Sequence, residues 1–122
     1  MALQVEVVSP ERILYSGEAE MVICRTEGGD IAFLTGHAPF VGALGIGEVR
    51  VQQVDGEEVR AAVHGGFVEV RDNRVVILSD VAELPDMIDV ERARVALGEA
   101  ERTDDESAAR RARIRLEVAR AA

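Results

Sequence analysis

Glu83-Leu84-Pro85-Asp86-Met87-Ile88-Asp89-Val90-Glu91-Arg92-Ala93 is the stretch where the chain changes its period. Upstream of it, apolar and polar residues alternate as they do in half-buried strands. Downstream, apolar residues recur every three or four positions, as on a helix face. Hardly any loop separates the two regimes. Residues 1–85 therefore read as a β-rich body and residues 86–122 as a short helical appendage.

Working back from the joint, Leu3 to Val8 alternates with period two and predicts a strand. Ser9-Pro10-Glu11-Arg12 predicts a turn, because proline fixes its own φ and lacks an N–H. Ile13–Tyr15 and Ala19–Arg25 read as two short strands broken by Ser16-Gly17. Gly28-Gly29-Asp30 reads as another turn before Ile31–Leu34. Thr35-Gly36-His37-Ala38-Pro39 is expected as an exposed loop, and Val41–Ile46 as a bend. Glu48–Val54 should pair with Glu58–Val63 around Asp55-Gly56-Glu57, and Phe67–Val70 with Val75–Leu78. Many short strands at close spacing imply a sandwich or barrel.

Working forward, Asp86 is the expected N-cap and Asp89 the third helical position, where the helix dipole favours an acid. Val90, Ala93, Leu97 and Ala100 form one apolar stripe. Thr103-Asp104-Asp105-Glu106 has capping-box spacing and should start a second helix. Ala109, Ala112, Leu116 and Ala119 line that helix, with Ile114 and Val118 flanking. Two tightly joined helices make an antiparallel hairpin. Its few large apolar side chains, at about 1.5–3 kcal/mol each when buried, leave it marginal by its own packing.

Composition narrows the function. The chain has 122 residues, 48% of them hydrophobic, and a formal net charge of −9. That charge argues against nucleic acid as a partner. It is uneven: the chain is acidic up to residue 88, whereas residues 108–122 carry Arg110, Arg111, Arg113, Arg115 and Arg120 against Glu117 alone. The N-terminus has no signal-peptide pattern and no apolar run is long enough to span a bilayer, so a soluble, cytoplasmic protein without direct membrane insertion is expected.

No catalytic constellation emerges. Cys24 is the sole cysteine and alternates with Val22, which fits a small core residue better than a nucleophile paired with His37 or His64. One Cys and two His supply no recognisable metal-ligand spacing. His64-Gly65-Gly66-Phe67 resembles an esterase oxyanion loop, but no Gly-x-Ser-x-Gly elbow accompanies it, and no phosphate-cradling glycine loop is present. Gly65-Gly66 reads as a bulge or tight corner, or as a close backbone approach to a partner. Arg111 and Arg115 share a helix face. With Arg92 they either converge on an anion or stand as solvated arginines.

The ordered motifs resemble the ε subunit of the bacterial F-type (rotary) ATP synthase along nearly the whole chain. Carrying the resemblance are Val5-Glu6-Val7-Val8-Ser9-Pro10 with Ser16-Gly17, then Gly29 through Pro39, then His64 through Val70 with Val75–Leu78, and finally Ile88-Asp89-x-x-Arg92-Ala93. The resemblance implies an all-β N-terminal flattened β-sandwich followed by a short C-terminal α-helical hairpin. It implies a non-catalytic rotor subunit on the cytoplasmic face of the plasma membrane, held peripherally in the complex. The sandwich, residues 1–85, would bind the gamma subunit and the c-subunit ring, with Asp30, Gly36, His37, Ala38 and Pro39 facing the ring. The hairpin, residues 86–122, would be a regulatory arm that permits ATP hydrolysis when folded and blocks it when extended toward the alpha/beta catalytic head.

In some relatives ATP holds the folded arm. The matching positions are Glu83, Ile88, Asp89, Arg92, Ala93, Arg111 and Arg115, so the resemblance implies ATP as a regulatory ligand and no required cofactor. Glu99 stands where nucleotide-binding relatives carry an arginine, which implies weak binding. Two other classes account for less of the sequence. A free-standing adaptor explains the architecture but not the ordered motifs, and a hydrolase lacks its nucleophile–base pair.

Overall fold

The computed structural model describes residues 2–120; Met1, Ala121 and Ala122, the outermost residues of the two expected units, lie outside the described residues. Seven strands come first: β1 Leu3–Val8, β2 Ile13–Thr26, β3 Gly29–Leu34, β4 Phe40–Gln53, β5 Glu58–Arg71, β6 Arg74–Leu78 and β7 Ala82–Glu83. A single 3-10 turn, Pro85–Met87, leads to α1 Val90–Arg102 and α2 Glu106–Arg120.

The sheet runs in the order β1-β6-β5-β4-β2-β3, and β1 also pairs with β2, which closes the sheet on itself. Only the β1–β6 pair is parallel among the described pairings; β1 runs antiparallel to β2, and the β4–β5 and β5–β6 hairpins are those the sequence predicts. The closed sheet is flattened into a sandwich because its long strands pass from one layer to the other. Inward-facing residues change parity midway: Leu44 is followed by Val49 and Val51 on β4, and Ala61 and Val63 by Val68 and Val70 on β5. A strand that keeps one face inward has period two, so the change of parity marks the bend.

Gly65 and Gly66, with φ of 87° and 122°, sit at that bend on β5. They form the tight corner. A Cβ on Gly66 would stand 2.2 Å from the Leu78 carbonyl oxygen, so only glycine lets β5 pass this close to the end of β6.

One expected break is absent. Ile13–Tyr15 and Ala19–Arg25 belong to the single strand β2, because Ser16 and Gly17 pair with Glu6 and Val5 of β1. The Tyr15 side chain lies over Gly17, its hydroxyl 2.5 Å from where a Cβ would stand. Val41–Ile46 bends, as expected, but stays within β4. The core is aliphatic, built on Leu3, Val5, Val7, Val22, Val68, Val75 and Ile77 around Phe33. Cys24 is fully buried in it, and its thiol is pushed up to about 12, chiefly by burial and then by the charge of Asp30.

Candidate functional site

The joint between sandwich and helices is built by three local devices. Pro85 opens the 3-10 turn, which closes through Met87 N–H to Leu84 O at 2.9 Å and Ile88 N–H to Pro85 O at 3.2 Å. Ile88 is then extended, so α1 starts three residues later than the sequence predicts. Asp89, and not Asp86, is the N-cap: its carboxylate accepts the Arg92 N–H at 3.0 Å. Asp86 is spent inside the 3-10 turn.

The turn between the helices also differs from its expected capping box. Thr103 caps the C-terminus of α1, its hydroxyl donating to Glu99 O at 3.0 Å. Asp104 takes a positive φ of 56°, and Asp105 becomes the N-cap of α2 by accepting the Ala108 N–H at 3.1 Å. Ala93 and Ala100 of α1 and Ala109 and Ala112 of α2 are buried along the hairpin seam, where small side chains let the helices approach. Leu97 and Leu116 are only half-buried. Val118, expected as a flank, is fully buried instead, packed with Ile88 against Ala62 of β5.

Beside this joint lies a cavity of about 310 Å³ lined by Glu83, Met87, Asp89, Arg92, Ala93, Ala96 and Arg115. Five of the seven sequence-predicted nucleotide residues meet there: Glu83, Asp89, Arg92, Ala93 and Arg115. Ile88 does not, because its side chain turns into the apolar contact with Ala62 and Val118. Arg111 lies outside the lining, one turn before Arg115, where its charge acts on His64. Glu99 faces away and pairs with Arg102 on the exposed side of α1. The charged lining is balanced, two carboxylates against two guanidiniums. Arg115 is already engaged, its Nε 2.7 Å from Glu83 Oε1.

His64 is the participant the sequence reading missed. Period two on β5 places it on the same face as Ala62, which was the available signal. Its side chain is only 4% exposed, and its Nε2 lies 3.0 Å from the same Glu83 oxygen. Burial first, opposed by the hydrogen bond to Glu83 and reinforced by Arg115 and Arg111, lowers its pKa.

Elsewhere, the Gly36–Pro39 loop caps one end of the sandwich. Gly36 donates its N–H to Asn73 Oδ1 at 2.7 Å, and the His37 ring stands edge-on to Phe33 at 4.9 Å. Asp30 is not with it. It sits at the far end of β3, about 13 Å away along the strand at 3.3 Å per residue, paired with Arg25 at 2.6 Å.

The outer face of the β6 layer carries an aligned apolar row. Ala43 pairs with Phe67, Phe67 with Leu78, Leu78 with Val8, and Val8 with Ile13. Phe67 is 58% exposed and Ile13 56%. Among the described residues, no group of His, Cys, Asp and Glu could hold a metal ion, and no helix is long and apolar enough to cross a membrane.

Comparison with known proteins bears on both parts of the molecule. Residues 2–85 match the family described as ATP synthase, Delta/Epsilon chain, beta-sandwich domain. The ATP synthase epsilon chain of Streptomyces avermitilis is 46% identical over 114 residues, covering 93% of this chain and 92% of the relative. That of Thermobifida fusca is 51% identical, covering 98% and 93%. A chain in the Euglena gracilis mitochondrial ATP synthase OSCP/F1/c-ring structure superposes with a TM-score of 0.75 at 25% identity, covering 98% of this chain and 78% of that one. A chain of the Tetrahymena thermophila central stalk/c-ring structure shares the fold, with a TM-score of 0.62 at 16% identity.

Proposed function

The chain belongs to the ATP synthase epsilon-chain family, non-catalytic subunits of that complex, and we propose that it works as a rotor part with a movable regulatory arm. The sandwich is the rotor-bound body. Its apolar row from Ala43 to Ile13 is the face offered to the gamma subunit, since an aligned exposed stripe of this kind marks a docking surface. The Gly36–Pro39 loop, presented at one end of the sandwich, is the contact with the c ring. The subunit then lies peripherally at the cytoplasmic face of the membrane.

The single observation that carries the regulatory part is how little fastens the hairpin to the body. Among the described residues, the arm is fastened by one small cluster, Ala62 with Ile88 and Val118 and with Ile114 and Ala119 against it, by the Arg115–Glu83 ion pair, and by the approach of α2 to β4 and β5. Few buried apolar contacts mean a low local opening free energy. An arm held so lightly can release, extend and block hydrolysis at the alpha/beta head. Deleting residues 87–122 and assaying ATP hydrolysis by the assembled complex tests this. Faster hydrolysis is expected, and an unchanged rate overturns the inhibitory role.

ATP is the regulatory ligand of the cavity at Glu83, Asp89, Arg92 and Arg115, and its binding is weak. A polyphosphate gains most from uncompensated cations, whereas this lining is charge-balanced and Arg115 would have to leave Glu83. Ligand at 100 times its dissociation constant would add about 2.7 kcal/mol to the folded arm. Calorimetric titration of ATP into the isolated chain should give a small, low-affinity heat. No heat at saturating nucleotide refutes the sensor role and leaves the arm itself untouched.

A further inference from the structure

We propose that His64, Glu83 and Arg115 form a latch between sandwich and helical arm that acid releases. The inference rests on the reading of the hairpin as a movable arm. His64 lies on β5, Glu83 on β7 and Arg115 on α2, so the latch spans the boundary the arm must break to leave. One carboxylate oxygen, Glu83 Oε1, accepts from both His64 Nε2 at 3.0 Å and Arg115 Nε at 2.7 Å. That arrangement needs a proton on Nε2, which the neutral Nε2–H ring and the protonated ring both supply, so what protonation changes is the other nitrogen.

The other ring nitrogen, Nδ1, is buried and has no hydrogen-bond partner. In the neutral ring it carries only a lone pair there. Protonation would place an N–H at that atom with no acceptor within reach, and a buried donor left unmade is costly. It would also add a positive charge where positive charge already dominates. The groups facing His64 are Glu83 of β7 and Arg115 and Arg111 of α2. Across the adjoining cleft stand Arg110 of α2, Arg25 of β2 and Glu27 of the following turn, with Arg25 already paired to Asp30. Glu83 is thus the nearby anion, and Arg115 shares it.

The sign follows from linkage. Docked, His64 titrates below its ordinary value. When α2 leaves, Arg111, Arg115 and the cover they give depart, and the ring returns toward about 6.5. Protons therefore bind the undocked state more tightly. Docking is unaffected well above pH 6.5 and weakens as pH falls below it, down to the docked pKa. One titrating group changes the equilibrium by at most about tenfold per pH unit.

Methyl NMR of the full chain tests this between pH 8 and 5. Ala62 and Val118 report docking, and Val70 and Ile77 report the sandwich core. The wild type should lose docking, by up to about tenfold per unit below pH 6.5, with the core signals unmoved. His64→Gln, whose amide can still donate to Glu83, should show a flat response. Equal responses in the two proteins, or wild-type docking unchanged throughout, overturn the latch. Should the variant fail to dock at any pH, the wild-type His64 ring titration decides: a midpoint below about 6.5 is expected, and an ordinary or raised one overturns the proposal. The failures are separable. Hydrolysis indifferent to arm deletion sinks the inhibitory role yet leaves this titration standing, and a flat titration sinks the latch alone.

Discussion

Val118→Ala isolates the arm's grip on the sandwich. The Val118 side chain is fully buried, against Ala62 and Ile88 with Ile114 and Ala119 beside them. Truncation removes two carbons at about 0.8 kcal/mol each, roughly 1.6 kcal/mol of transfer free energy. The residual cavity should be small, because half-buried neighbours at the edge of a cluster can relax. Alanine is the better helix former by about 0.5 kcal/mol, which works in the opposite direction. The net loss of about 1 kcal/mol corresponds to roughly fivefold more opening. Amide hydrogen exchange of α2 should therefore quicken about fivefold, while the β5 and β6 core amides keep their rates. Unchanged or slower exchange in α2 would mean that propensity outweighs docking. Equal acceleration in the core strands would mean that arm and sandwich open as one unit, and the movable-arm argument would fail.

Gly66→Ala should destabilise the sandwich by about 3 kcal/mol or more, since neither the φ of 122° nor the 2.2 Å approach to the Leu78 carbonyl admits a Cβ; a thermal midpoint within a few degrees of wild type would contradict this. Asp89→Ala removes the cap on the Arg92 N–H and should cost α1 about 1 kcal/mol, seen as faster exchange confined to its first turn. Phe67→Asp, on the exposed row, should leave thermal stability within about 0.5 kcal/mol of wild type while weakening co-purification with the gamma subunit; retained co-purification would exclude this face as the gamma contact. Cys24, fully buried and with its pKa near 12, should react with thiol reagents at pH 8 only at the rate of global unfolding, and rapid labelling of the native protein would disprove its core placement.

Local chemistry explains which expectations survived. Strand alternation, the Asp55-Gly56 hairpin and the change of period at Pro85 are written in short windows of sequence, and all three appear where expected. Caps were less legible. Asp86 and Asp89 are both good cap residues in the right place, and the choice fell to Asp89 because Ile88 must stay extended to reach Ala62. The Ser16-Gly17 break vanished because β1 supplied hydrogen bonds that no local pattern could announce. The candidate site shows the same division. Glu83, Asp89, Arg92, Ala93 and Arg115 converge on one cavity, whereas Ile88 and Arg111 leave it because the docked arm turns one inward and sets the other toward His64.

What the sequence determined by itself was the pair of periods, the boundary between them and the inventory of charges, because each depends on neighbours within a few residues. What only the tertiary structure decided was which groups meet across long separations. Glu83 finds Arg115 thirty-two residues later, and His64 nineteen residues earlier, on one carboxylate oxygen. That meeting depends on the corner at Gly65-Gly66, the extended Ile88 and the arm's seat on Ala62 together. Such encounters depend on chain path and packing, which side-chain chemistry read along the sequence does not contain.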